Sequence, residues 1–465
     1  MPSAPSPQPP PVSSSLATLA RAHEATLPPP PPPPLSPPAA VPDRFGLPLK
    51  TLTGLRRYFI AGSDRDTRTA LLRAQKVNPR RNKKMLQDDT DTLLVTPFTA
   101  AEASQVKYFG NVEVALYLIE LAFVTFFFTE AFPSVFVQSG FEFNPLPLVL
   151  GAAAVLYALF SLFNVDLFGK HTSPEDRWLT LAFSAGAFGA SAYVLQKKPI
   201  WAPTADLGKA AGYVATLVQE AIEAAVPASE GSFSVPEVSE GQLCAALAVV
   251  SLVLALALFL PALRFVLSFK LNRDAPAWFP EYAVPTSNST ALLTVQFVGP
   301  LVASMLWGRL RPNMVLSMHI EEERKIFSAA LLTLAVVQLS AARQVLQHYL
   351  DSALIAWYNL RNPTTAEGEQ PKRLPRVVSE IVRTRIRIIN GLVGRAAVEV
   401  VMPAVIYLGL GLALVWCSVH SDIASDADVT LIVDAVVGYL SWWCCTLTFL
   451  YHGAHMWLFK AGVNA

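Results

Sequence analysis

Charge is what this chain has least of. Asp, Glu, Lys and Arg together make up 15% of its 465 residues, against about 25% in soluble domains. That deficit excludes a water-soluble globular body as the class of the whole chain. Cysteine is also scarce. The four present (Cys244, Cys417, Cys444 and Cys445) lie inside or beside apolar stretches. They provide neither an extracellular disulfide framework nor the paired CxxC spacing of a zinc site, and read as small apolar fillers. Catalytic signatures are missing as well. There is no Walker A loop, no G-x-S-x-G elbow and no H-E-x-x-H, nor the paired aspartates of intramembrane proteases and headgroup transferases. No enzymatic activity and no cofactor are expected. The chain also lacks a detectable internal repeat, which leaves an inverted-repeat transporter architecture without support.

What the chain does have is apolar sequence. Hydrophobic residues make up 52% and mean hydropathy is +0.39. A hydrocarbon core about 30 Å thick needs about 20 mostly apolar residues in a helix, and crossing segments must satisfy their own backbone groups. Eight stretches qualify or nearly qualify: 112–132, 145–165, 178–196, 242–268, 288–308, 326–349, 398–419 and 430–458. The fold class is therefore all-α, a polytopic transmembrane helical bundle of about eight spans within residues 108–460. The third span repeats Ala182, Gly186 and Ala190 every fourth residue, a spacing that lets a neighbouring helix come close. Residues 206–226 are amphipathic but too polar to cross, which predicts an interfacial helix.

Residues 1–50 hold seven consecutive prolines, Pro28 to Pro34. Such a run adopts polyproline II and builds no core, so a disordered proline-rich tail is expected. Residues 51–107 then form a basic juxtamembrane segment that includes Arg80-Arg81-Asn82-Lys83-Lys84. With a membrane following, anionic lipid headgroups account for it better than nucleic acid does. A second basic amphipathic helix is expected between spans six and seven, where Arg376, Arg383 and Arg387 accompany Ile381, Val382, Ile388 and Ile389 for contact with the lipid surface. Basic residues favour the cytoplasmic side. With the N-terminus inside, 28 of the 36 lysines and arginines fall on that side, which places both termini in the cytoplasm. The loop 309–325 is the basic exception.

An ionisable residue within a span is a functional candidate by default. Glu120 is the deepest, with Glu113 seven residues earlier on nearly the same helical face. Glu120 offers either an ion path or a structural pair. Arg264 and Arg343 stand at the cytoplasmic ends of their spans. Snorkelling to the interface accounts for each, the alternative being a salt bridge inside the bundle, with Glu399 at the same level. Glu130 and Asp434 approach the opposite face. His452 and His455 share a face three residues apart, but no third ligand follows, so interfacial anchoring is expected rather than a metal site. Pro261, Pro300 and Pro403 fall in or near three spans and kink helices by removing hydrogen bonds.

Several motifs, taken in order, resemble those of the transmembrane protein 161 family. They are Lys107-Tyr108-Phe109, then Phe128-Thr129-Glu130-Ala131, then Phe259-Leu260-Pro261-Ala262-Leu263-Arg264. Leu306-Trp307 with Arg311-Pro312 comes next, followed by Glu380-Ile381 with Arg383 and Arg387, and by Pro403-Ala404. The likeness spans about 100–459. It implies a non-enzymatic polytopic protein linked to membrane excitability and to the regulation of ion currents, working with membrane-protein partners, and it draws attention to Glu130 and Arg264. The chain departs from the family at its start, where a proline-rich tail stands in place of a hydrophobic span. Either that helix was lost or the N-terminal gene model is wrong. The alternative to regulation is a transporter or channel in its own right, using Glu120 and Glu130.

Overall fold

The computed structural model describes residues 51–60, 93–131, 144–167, 169, 174–199, 202–203, 207–225, 239–276, 289–307, 320–361, 376–420 and 427–461. The proline tail, the Arg80–Lys84 cluster and Arg311-Pro312 fall outside these residues.

Eight helices among the described residues are long and apolar enough to cross a membrane, and each overlaps one of the expected stretches. In chain order they are α2 (Phe109–Phe126, continued by a π-helical turn Phe127–Ala131), α3 (Leu146–Asp166), α4 (Pro174–Lys197), α6 (Glu240–Arg273), α7 (Ser289–Trp307), α8 (Ile320–Arg361), α10 (Val393–His420) and α11 (Ala427–Lys460). The amphipathic segments form α5 (Leu207–Ala225) and α9 (Arg376–Gly391), and a single turn, α1, covers Ala100–Ala103. Local sequence sets several of these ends. Ser239 begins α6 with a capping box, accepting from the Gln242 amide while the Gln242 side chain accepts from the Ser239 amide. Such a cap stabilises a helix start by about 1 kcal/mol.

Helix α10 occupies the centre. In its most apolar stretch 89% of residues are buried, against 22% for α2. It packs against α8, α3, α2, α11 and α6. Its contact with α3 is close because Gly409 has no side chain: a Cβ there would strike Val155 and come within 3.0 Å of the Gly151 carbonyl oxygen. Large apolar side chains such as Leu156, Phe160, Val149 and Tyr117 stand exposed on the outside. That arrangement suits a body whose solvent is hydrocarbon, since packing inside a membrane does not depend on hiding apolar surface. The small-residue stripe of α4 points outward too. Ala182, Gly186 and Ala190 are all exposed, and a Cβ on Gly186 would meet nothing. The face that α4 presents to the bundle is instead Thr180, Ser184, Ala187, Ser191 and Val194. Ser and Thr pack as closely as Gly while offering hydroxyls, and Ser191 meets the Tyr439 hydroxyl at 2.8 Å.

Hydropathy gave no sign of two short strands in the juxtamembrane segment. Strand β1 (Arg56–Ile60) pairs antiparallel with β2 (Leu93–Pro97), with Tyr58 opposite Val95. Two strands alone are marginally stable in water, and this pair is held against the end of the bundle. The Tyr58 hydroxyl donates to Asp351 Oδ1 of α8 at 2.7 Å, Gln347 Nε2 donates to the same oxygen at 2.7 Å, and Asn390 Nδ2 of α9 donates to the Tyr58 carbonyl at 2.8 Å. Burial, and then the Asp351 carboxylate, push the Tyr58 hydroxyl well above its ordinary pKa. At the rim Arg57 bonds Glu102 at 2.6 Å and lies over the Phe98 ring. Partial burial pushes the Glu102 carboxyl up, but hydrogen bonds from Arg57 and Thr99 outweigh it and hold the group below its usual value.

Candidate functional site

The ends of α3, α6 and α10 bring four charged side chains together beneath the β pair. Asp166 is the last residue of α3, Arg264 stands nine residues before the end of α6, and Arg395 and Glu399 lie in the first two turns of α10. Glu399 is the hub. Its Oε1 accepts from Arg395 Nε at 2.6 Å and its Oε2 from Arg264 Nε at 2.5 Å, while Arg395 approaches Asp166 at 3.6 Å. The side chains of Glu399 and Asp166 are 1% and 2% exposed, so neither carboxylate has water to fall back on. Two arginines facing two carboxylates balance in charge, the condition under which buried ions are tolerated. The Arg264 guanidinium also lies 4.7 Å from the Tyr349 ring centroid, a favourable cation–π contact.

Arg264 is thus the in-bundle partner of Glu399 rather than a snorkelling anchor. Arg343 is exposed, and its terminal nitrogen approaches the Gly54 turn beside β1. Asp166 and Arg395 escaped the sequence reading because each sits at the edge of a hydropathy span, where charge is ordinary.

The opposite end of the bundle holds two further pairs. Glu130, carried inward by the π-helical turn, is 1% exposed and lies 3.5 Å from His420 at the end of α10. Asp434 of α11 bonds Arg324 of α8 at 2.9 Å. One of the basic residues of the 309–325 segment is therefore matched by an acid of α11.

Between these levels the three prolines converge. Pro261, Pro300 and Pro403 all border a cavity of about 20 Å³, together with Gln296, Gln338 and His452. That volume admits about one water, and the polar lining suits one. His452 and His455 are buried rather than interfacial. His452 stacks on Phe297 and packs at a tilt against Phe265, and His455 Nε2 lies 3.0 Å from the Phe259 carbonyl oxygen. Among the described residues no group of three His, Cys, Asp or Glu side chains is placed to hold a metal. Cys417, Cys444 and Cys445 are buried and Cys244 is half-buried, all four as free thiols.

No family model, no curated protein and no solved structure matches the chain.

Glu120 stands apart from these networks. On α2 the side chains of Val112, Ala115, Ile119 and Ala122 face the bundle while Tyr117, Leu121 and Val124 face out. Glu120 is half-buried on the flank between the two sets, and it makes no hydrogen bond or ion pair among the described residues. It does not line the cavity that the three prolines border. In α9 the apolar face is divided. Val382, Ile386 and Ile389 pack on the protein, whereas Ile381 and Ile388 are exposed beside the exposed Arg387. Arg383 is half-buried; Arg376 opens the helix, but its side chain lies outside the described part.

Proposed function

We propose that this integral multi-pass protein is not an enzyme but a membrane subunit that modulates ion flux by assembling with another membrane protein through the outer flank of α2. The role accords with the resemblance to the transmembrane protein 161 family. The observation that carries the proposal is the contrast between Glu120 and the other acids of the spans. Asp166, Glu399, Glu130, Asp434 and Asp351 each have a cationic or hydrogen-bonding partner. Glu120, in the middle of a 22-residue span, has none among the described residues and borders the outer face. An acid at mid-span costs about 2.5–3.5 kcal/mol on insertion scales. A partner helix with a basic or amide side chain at the same depth removes that cost. Autonomous transport would need Glu120 on a cavity wall, and Glu130 is closed against His420.

The test compares the native assembly with the Glu120→Leu variant. In mild detergent the unaltered protein should run as a complex larger than the lone chain, and Glu120→Leu should run as the lone chain at unchanged thermal stability. Identical assembly of the two proteins would sink the proposal. Liposomes holding the pure protein should carry no cation or proton flux; flux that disappears with Glu120→Gln would establish the transporter reading instead.

A further inference from the structure

A cavity of about 360 Å³ lies between α6, α8 and α10, and Arg264 forms part of its inner wall. Its remaining surface is mostly apolar, with Leu267, Leu271, Val345, Ile355 and Val400 among the lining. Lys270 and Asp274 border it nearer the end of α6, where Asp274 is accompanied by Arg273 at 4.0 Å.

The chemistry of this cavity follows from how Arg264 is held. A guanidinium carries five N–H donors in a planar fork. Glu399 takes the one on Nε, and the two terminal nitrogens make no hydrogen bond among the described residues. A quarter of the side chain (25%) is exposed, whereas its partner Glu399 is 1% exposed. The anchored Nε and the Tyr349 ring beneath fix the plane of the group. The fork is therefore oriented before any ligand arrives, and its free edge suits two oxygens of a phosphate or carboxylate. Hydroxyl and imidazole groups stand nearby in the same lining, where Ser268 Oγ meets His348 Nδ1 at 2.6 Å.

Depth supplies the second half of the argument. Helix α6 has 34 residues, roughly 51 Å at about 1.5 Å per residue. Centred on a hydrocarbon core of about 30 Å, it places Arg264 just inside the core boundary and Lys270 at the headgroup level. The cavity thus joins the layer where lipid phosphates lie to a slot of apolar side chains.

We propose that this cavity binds one anionic lipid, its acidic head on the free edge of Arg264 and an acyl chain against Leu271, Val345 and Ile355. The shared requirement is an anionic head bearing two oxygens and an attached hydrocarbon chain. A phospholipid with an exposed phosphate and a free fatty acid both satisfy it. This site is separate from the flank of α2 and does not depend on the partner proposal.

Native mass spectrometry of the purified full chain, with added lipid, tests the inference. Phosphatidic acid should bind in a saturable fashion at one per chain, and phosphatidylcholine at least tenfold more weakly. Oleate binding at the same site would identify the fatty acid as a source; oleate failing to compete would identify the phospholipid. Leu271→Trp, which fills the slot without touching the ion network, should lower retention at least tenfold while leaving the melting temperature within a few degrees. Arg264→Lys, which keeps the charge beside Glu399 but loses the fork, should also weaken retention. Replacing Arg383 and Arg387 with Gln removes basic residues from α9 and should leave the single retained lipid in place. Equal retention of anionic and zwitterionic lipid, unchanged binding by Leu271→Trp, or full competition by inorganic phosphate alone would each overturn the proposal.

Discussion

Arg264 and Glu399 are 135 residues apart in sequence, and their Nε and Oε2 atoms meet at 2.5 Å inside the bundle. The contact ties α6 to α10 and, through Arg395, to the end of α3. An arrangement of this kind contributes less through the pair's own attraction than through the penalty of breaking it. Removing one partner from a buried ion pair costs about 3–5 kcal/mol, because the other charge stays behind.

Glu399→Ala should therefore lower the unfolding free energy by about 3–5 kcal/mol, as measured by thermal or denaturant unfolding in detergent. The double substitution Arg264→Met with Glu399→Met leaves Arg395 opposite Asp166 in charge balance and should be clearly more stable than Glu399→Ala. A double variant as unstable as the single one would mean that Arg264 is not a partner in the balance.

The eight spans and both amphipathic helices were legible in the sequence because hydropathy over about 20 residues reports on solvent, and lipid is a uniform solvent. The ion network was only half legible. Arg264 and Glu399 showed as charges near span ends, and their pairing was one of two readings offered. Asp166 and Arg395 gave no signal, since a single charge at the edge of a span looks the same whether it meets water or a partner. The β pair was hidden for another reason. Five residues such as Arg-Arg-Tyr-Phe-Ile carry too weak a pattern, and what holds them is Asp351 and Asn390, roughly 300 residues away. The outward stripe on α4 shows the converse: small residues at the right spacing permit a close neighbour without supplying one.

Glycine 409 offers a sharper comparison. Gly409→Ala would drive a methyl into Val155 and the α3 backbone, so a loss of about 1–3 kcal/mol is expected from overpacking. Gly151→Ala, on the facing helix, meets Leu412 at an ordinary 3.6 Å. Alanine's better helix propensity, worth up to about 1 kcal/mol, should make it neutral or mildly stabilising. Parallel unfolding curves for the two variants check both expectations.

The Tyr58 hydroxyl makes the docking of β1 sensitive to alkali. Its folded pKa is raised, chiefly by burial and then by Asp351. The stability it lends is therefore complete below its unfolded value of about 10 and is lost as pH climbs toward the folded value. Hydrogen exchange of the β1 amides should stay slow through neutral pH, and protection corrected for the intrinsic rate should fall above about pH 10. Tyr58→Phe should loosen β1 by about 1–3 kcal/mol below about pH 10, since it deprives the Asp351 carboxylate of a donor, and should remove most of that alkaline dependence.

Glu120→Gln keeps the shape of the side chain and removes its charge. Because Glu120 has no bond or ion pair among the described residues, the variant should unfold within about 0.5 kcal/mol of the unaltered protein. A loss of several kcal/mol would instead place a structural partner at Glu120.

Among the described residues, the centre of the bundle is the seventh of eight candidate spans in chain order. Helix α10 is enclosed on nearly every side, yet it emerges after six other spans are already in the bilayer. When those six are in the bilayer, Arg264 is still without Glu399. The central helix is therefore added late in chain order, after most of the helices that surround it and before α11. A chain interrupted before Val393 would leave Arg264 without its hydrogen-bonded partner Glu399, a mark by which cellular quality control can tell an unfinished copy from a finished one.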